Sequence, residues 1–425
     1  MRGPAARRAV ITGIGAVAPG EPGVKPFWEL LTAGRTATRP LSLFDASGYR
    51  SRVAAECDFD PIAAGLSEDQ AHSWDRATQF AVVAAREALD DSGALGDADP
   101  VRVGVTVGTA CGLTSSLDAR YPALSDAGRR WLIDEAPVGE RLYDYFIPSS
   151  MARELAWLAD AQGPVGVVSS GCTSGIDAVG HAAALIEDGA ADIMIAGASE
   201  APITPLNVAC FDAEKATTSR NDSPETASRP FDLSRDGFVL GEGSAFVVLE
   251  ESGYAARRGA RDYAEVAAHA TRSNAYHMTG LRDDGAEMAE AIRVALHRAR
   301  IDRSQIGYIN AHGSSTRQND RHETAAFKAS LGPHAYTTPV SSIKSMVGHS
   351  LGAIGALEMV ACALVIEHSV IPPTANLRTP DPQCDLDYVP LAARQRRVNA
   401  VLSVASGFGG FQSAIVLTRP GWRAT

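Results

Sequence analysis

This 425-residue chain predicts an α/β fold made of two similarly built halves. Three observations carry the prediction. Apolar β-branched runs alternate with helical patterns, which implies parallel sheets covered by helices. The order of elements in the first half recurs in the second. In each half a strand is followed by a glycine, a chemically active residue and at once a long helical pattern: Gly171-Cys172 in one and Gly348-His349 in the other.

The elements follow in chain order. "MRGPAARRAVITGIGAVAPG" places Arg7 and Arg8 before an apolar run and offers Ala16-Val17-Ala18 as an imitation cleavage site. The apolar part is short, broken by Gly13 and Gly15 and closed by Pro19, so it reads as a buried strand with a glycine turn, not a secretion signal. In residues 74–91, Ala77, Phe80, Ala84 and Ala88 form one helical face, and "VRVGVTVG" follows as a strand from Val101. "VGVVSSGC" leads into the helix after Cys172, and "ADIMIAGASEAP" is the next strand. The second half repeats this order. Residues 286–301 carry a face of Met288, Ile292, Ala295 and Ala299, "IGYINAHG" is the strand, and "TPVSSIKSMVGH" leads into "SLGAIGALEMVACALVIEH". "VNAVLSVASGFGG" is the closing strand. The halves, 1–255 and 256–425, join near residues 252–262 and are expected to pack face to face. Gly108 and Cys172 are further apart than Gly313 and His349, which places an insertion near 113–150. Tyr121, Trp131, Tyr143, Tyr145 and Phe146 gather there, suited to local packing or equally to a subunit contact or tunnel wall.

Composition excludes several classes. A net charge of −11 argues against general affinity for nucleic acid or anionic lipid, which needs a dense positive surface. No run approaches the roughly 20 apolar residues of a membrane-spanning helix. The cysteines at 57, 111, 172, 210, 362 and 384 form no C-x-x-C pair, so neither a zinc site nor a disulfide framework is indicated, and reduced thiols in a cytoplasm are expected. "TGIGAVAPG" lacks the third glycine of a dinucleotide fingerprint, there is no Walker lysine, and "GCTSG" is not G-x-S-x-G. Met346 and Met359 read as packing.

The chemistry gathers at the junctions. A helix N-terminus favours thiolate over thiol, which makes Cys172 the candidate nucleophile, with Ser174 two residues inside the helix. Cys57, Cys210, Cys362 and Cys384 are read as small buried hydrophobes. His312 ends a strand in "NAHGSST", and His349 is expected at a second helix N-terminus, where the dipole keeps its imidazole neutral. Two such donors aimed at one point stabilise an enolate or other oxyanion. Taken singly, Lys344 and Glu323 each read as a structural salt-bridge residue; taken together they read as supports that fix the histidine tautomers and the local charge.

The motifs "SSGCTSG", "NAHGSST", "SSIKSMVGHSLGAIGALE" and "SGFGG", in this order, resemble a β-ketoacyl synthase of the thiolase superfamily. "YHMTGLR" and "RQNDRHETAAFK" narrow the resemblance to the ketosynthase α subunit of bacterial type II polyketide synthases. The resemblance implies two pseudo-duplicated halves in five α-β-α-β-α layers. It further implies that Cys172 is acylated from the phosphopantetheine arm of an acyl carrier protein, and that His312 and His349 bind the malonyl thioester oxygen while carbon dioxide leaves. Lys344 and Glu323 match the supporting charges, the amides of Cys172 and Phe408 the oxyanion hole, and the Phe408 side chain a gate. One residue departs from the aromatic-polyketide pattern: Ser315 stands where H-G-S-G-T has glycine.

The implied activity is decarboxylative Claisen condensation with no metal and no bound cofactor. The implied partners are a chain-length factor lacking the nucleophile, as heterodimer, and an acidic carrier protein docking on a local basic site, with Arg129, Arg130 and Arg220 as candidates. No nucleic acid or membrane is expected. The rival readings are a fatty-acid elongating synthase, which differs in partner, and a Cys-His acyl hydrolase, which two histidines plus Lys344 suit less well; a non-catalytic scaffold requires that replacing Cys172 leave product formation intact.

Overall fold

The computed structural model describes residues 7–96, 98–131, 133, 134, 136 and 141–423. The start of the signal-like stretch (residues 1–6) and positions 132, 135 and 137–140 of the predicted insertion lie outside the described residues.

The main sheet has ten strands: β1 (Ala9–Val17), β2 (Val103–Gly108), β3 (Val165–Val168), β4 (Ile193–Glu200), β5 (Gly243–Glu251), β6 (Ala264–Ser273), β7 (Tyr308–Asn310), β8 (Val340–Ser341), β9 (Ala400–Gly407) and β10 (Phe411–Thr418). Their order is β8-β7-β9-β10-β6-β1-β5-β4-β2-β3. Read outward from the centre, each half repeats the other: β6 matches β1, β10 matches β5, β9 matches β4, β7 matches β2 and β8 matches β3. Antiparallel pairing of Ala9–Ile11 with Ala264–Val266 joins them edge to edge.

Five helices matter for the site: α1 (Arg76–Ser92), α2 (Ser174–Glu187), α3 (Ala286–Ala299), α4 (Arg317–Leu331) and α5 (Ile354–His368). The apolar residues fall into three main clusters. Phe80, Ala84 and Ala88 of α1 pack against Val105 and Phe246 of the first half-sheet. Ile176 and Val179 of α2 meet Leu357 and Val360 of α5 between the half-sheets. Met288 and Ile292 of α3 and Phe327 of α4 cover Ile309 and Leu402 of the second half-sheet. These clusters separate five layers, α-β-α-β-α.

Three expectations change. The half-sheets are mixed: β3-β2-β4 and β8-β7-β9 run parallel, but β5, β1, β10 and β6 are antiparallel to their neighbours. A parallel neighbour needs a long crossover, whereas β9 and β10 are joined only by Phe408, Gly409 and Gly410. Gly13 and Gly15 lie inside β1 and make no turn; a Cβ there would sit 2.2 Å from the Ala88 carbonyl oxygen and 2.0 Å from that of Ala84, so glycine lets α1 lie directly on the strand. Finally, Leu351–His368 is long and apolar enough to cross a membrane by composition, yet 89 % of it is buried inside the fold. A helix apolar on all sides belongs in a core. Here it is the central layer, with Glu358 neutralised by Lys344.

Among the remaining cysteines, Cys57, Cys362 and Cys384 are buried as expected, but Cys210 is exposed. It lies on the helix Pro205–Ala213, most of whose residues are not buried. Of the insertion aromatics, Tyr145 is buried and donates to the Ser73 carbonyl at 2.8 Å. Tyr121, Tyr143 and Phe146 line a groove of about 820 Å³ with Leu117, Leu124 and Leu206.

Candidate active site

After β3 the backbone closes a tight turn over Gly171–Thr173 before α2 begins at Ser174. Gly171 takes φ +63°, a conformation glycine adopts without a Cβ penalty. Ser174 is thus the first residue of the helix, not a residue within it. Its hydroxyl accepts from the Ser170 amide at 3.0 Å and faces the Gly171 carbonyl at 2.6 Å, bracing the turn that carries Cys172.

Burial pushes the Cys172 thiol up to about 11, and nearby Glu200 adds to the rise. Lys344 and the backbone amides of Phe408 and Cys172, which hydrogen-bond to the sulfur, pull the other way and are outweighed. The expectation of a resting thiolate from the helix dipole is therefore corrected: the resting group is the thiol. Both amides assigned to the oxyanion hole converge on the sulfur. Gly407 makes that approach feasible, because a Cβ on it would lie 3.2 Å from the Cys172 nitrogen and 3.1 Å from the Ser170 oxygen.

His312 lies just beyond β7. Its amide and that of Gly313 donate to the two oxygens of Glu323 on α4, at 2.5 and 2.8 Å. Glu323 thus shapes the loop backbone and does not orient an imidazole, and burial pushes its carboxyl up to about 8. His349 follows the short helix Lys344–Val347 and Gly348, with its amide on the Val239 carbonyl at 2.8 Å. The turn Leu351–Ala353 separates it from α5, so the helix end does not set its charge. Burial first, and Lys344 second, hold both imidazoles well below the ordinary histidine range, so they are neutral. Nδ1 of each is buried without a hydrogen-bond partner, which removes the expected tautomer-fixing role of Lys344 and Glu323.

The two rings stand nearly perpendicular, 82° apart, with centroids 5.2 Å apart. Cys172, His312, His349 and Phe408 line one cavity of about 540 Å³, walled also by Phe211 and Phe238. Two neutral imidazoles beside a buried thiol and two amide donors can take up a thioester, exchange its acyl group onto sulfur and hold an oxyanion. Lys344, 1 % exposed, pairs with Glu358 at 2.5 Å, whose carboxyl burial lifts to about 7.

Sequence reasoning passed over Glu358, although a carboxylate in the middle of an apolar helical run is a signal. It also missed Glu200, whose carboxylate accepts from Thr109, from the amides of Ala110 and Cys111 and, across the seam, from that of Gly352. Ser315 takes φ +70°, the left-handed region that favours glycine, and its hydroxyl accepts from the Arg229 amide at 3.0 Å. Arg129 and Arg130 are exposed on the insertion, and Arg220 is 3.6 Å from Asp236; the basic residues lining the cavity itself are Lys215 and Arg317.

Residues 6–255 match the N-terminal domain of the β-ketoacyl synthases and residues 263–378 their C-terminal domain. The chain therefore belongs to the β-ketoacyl synthase family, the acyltransferases of condensation. It is 70 % identical over 416 residues to an oxytetracycline polyketide putative β-ketoacyl synthase 1 of Streptomyces rimosus, covering 98 % of each chain. A type II polyketide synthase ketosynthase solved in complex with its acyl-carrier protein and bound to the hexaketide superposes with a TM-score of 0.90 at 39 % identity, covering 97 % of this chain and 99 % of that one. The ishigamide ketosynthase/chain length factor superposes with a TM-score of 0.88 at 33 % identity, covering 98 % and 100 %.

Proposed function

We infer that the chain is the ketosynthase α subunit of a type II polyketide synthase and lengthens an acyl or polyketide chain by decarboxylative Claisen condensation. The observation that carries this is the shared cavity of Cys172, His312 and His349. The Cys172 thiol attacks the carrier-bound thioester; its proton leaves through an imidazole, the oxyanion forms against the amides of Cys172 and Phe408, and the carrier thiol departs. Malonyl thioester then enters, and its carbonyl oxygen faces the two neutral imidazoles. Loss of carbon dioxide leaves an enolate that they stabilise by hydrogen bonding, an effect whose loss costs about a hundredfold or more. The enolate carbon attacks the Cys172 thioester, the carbon–sulfur bond breaks, and the chain leaves on the carrier two carbons longer.

The substrate arm is phosphopantetheine delivered by an acyl carrier protein, with Lys215 and Arg317 at the cavity as the nearest basic contacts. The proposed heterodimer partner is a chain-length factor. The open edge of β3, where Val165 is 46 % exposed, supports association, since an unpaired strand edge is a template for another chain. A cytoplasmic location is consistent with six free cysteines. The test is mass spectrometry of the intact protein after incubation with malonyl-loaded carrier and the partner. An acyl mass on Cys172 and an elongated product are expected; hydrolysis without carbon–carbon bond formation overturns the reading.

A further inference from the structure

One turn into α2, Asp177 is 9 % exposed and its carboxylate is ringed by four groups. One oxygen accepts from the hydroxyls of Ser170 at 2.5 Å and Thr173 at 2.7 Å, the residues that bracket Gly171-Cys172. The other accepts from Ser413 of β10 at 2.6 Å and faces Nε2 of His269 on β6 at 3.0 Å. An ionised carboxylate offers about four acceptor sites, and here all are used. Burial raises its pKa, but His269 and the hydroxyls more than offset this and hold the group below the ordinary carboxylate range. Gly180, one turn further along α2, completes the arrangement: a Cβ on it would lie 2.2 Å from Cγ of the His269 ring, so only glycine lets that ring lie against the helix.

We propose that Asp177 is a positioning residue for the condensation, fixing both ends of the Cys172 turn from behind while His269 and Ser413 anchor it to the other half of the molecule. This rests on the reading of Cys172 as the acylated nucleophile. The Cys172 amide and the Phe408 amide must converge on one oxyanion, and they come from turns that meet with little clearance at Gly407. A misplacement of about 1 Å at such a centre costs on the order of a hundredfold. The carboxylate bridges the two turns: Ser170 and Thr173 belong to the Cys172 turn, and Ser413 belongs to the strand that leaves the Phe408 turn.

The experiment uses the protein with its partner and carrier, in the variants Asp177→Ala, Asp177→Asn and Ser413→Ala. Three rates are measured: acyl transfer from carrier to Cys172, alkylation of Cys172 by iodoacetamide, and decarboxylation of malonyl-carrier. Alkylation forms no oxyanion, and decarboxylation is the work of His312 and His349. Asp177→Ala is expected to slow acyl transfer about 30- to 100-fold while the other two rates stay within about threefold. Asp177→Asn, which keeps the shape and one acceptor, should recover to within about tenfold of the parent, and Ser413→Ala should lose a few-fold. For Asp177→Ala, acyl transfer within threefold of the parent, or all three rates falling together, overturns the proposal. If Asp177→Ala does not fold, Asp177→Asn and Ser413→Ala decide by comparison within each variant: acyl transfer slowed more than alkylation and decarboxylation supports the proposal, and three rates changed alike overturn it. An unaltered protein that never carries acyl on Cys172 overturns the underlying reading instead.

Discussion

Replacing Lys344 by methionine isolates the electrostatics of the site. Lys344 and Glu358 are 1 % and 0 % exposed and 2.5 Å apart, and Glu358 Oε2 already lacks a hydrogen-bond partner. Removing the cation leaves a buried carboxylate with no counter-charge, a change that costs about 3–5 kcal/mol. The carboxyl, already lifted to about 7 by burial, rises further once the lysine is gone. A buried acid with a raised pKa favours the folded state while it is protonated and loses that contribution as the pH climbs through its folded value. The stability deficit of Lys344→Met should therefore be small at pH 5.5 and approach its full size by pH 9. Urea denaturation at the two pH values measures it. The double variant Lys344→Met/Glu358→Gln should recover most of the loss but not condensation activity. Lys344 is also the largest influence holding the Cys172 thiol down, so the alkylation rate of Cys172 should shift to higher pH in both variants. No deficit at pH 9, no recovery in the double variant, or a shift to lower pH would refute the reasoning.

His312→Ala and His349→Ala should each slow malonyl decarboxylation about a hundredfold or more while leaving Cys172 open to alkylation; equal loss of both rates counts against the assignment. Ser315→Gly relieves a left-handed residue worth about 1 kcal/mol and gives up the acceptor for the Arg229 amide, worth about 1 kcal/mol, so unfolding should change by less than about 1 kcal/mol; a loss above about 2 kcal/mol shows that the hydroxyl dominates. Gly180→Ala forces the His269 ring away and should destabilise by about 1–3 kcal/mol with slowed acyl transfer, read by denaturation and single-turnover kinetics. Val165→Asp puts a charge on the open edge of β3 and should abolish co-elution with the partner on size exclusion while the monomer stays folded.

The duplication, the strand–helix junctions and the three residues that meet in the cavity were legible because each is local: a β-branched run, a glycine and a chemically distinctive side chain within a few positions. Strand direction was not, since a hairpin such as Gly407 to Phe411 and a crossover begin with the same kind of strand. The sulfur's charge state was misjudged where a local device, the helix end, was weighed without burial, which holds it as a thiol; the neutral imidazole was foreseen, but burial and Lys344, not a helix end, are its cause. Supports such as Asp177, Glu200 and Glu358 escaped because their meaning comes from partners far along the chain. Asp177 meets His269 and Ser413, and Glu200 meets Gly352.

The middle layer also bears on how the molecule is made. The face of α2 that meets α5 has no cover until residues 354–368 have left the ribosome, roughly ten seconds after the first 255 residues at ordinary synthesis rates. During that interval a sticky surface behind the future nucleophile is bare, and a chaperone that shields nascent apolar helices should determine how much of the chain reaches its finished form.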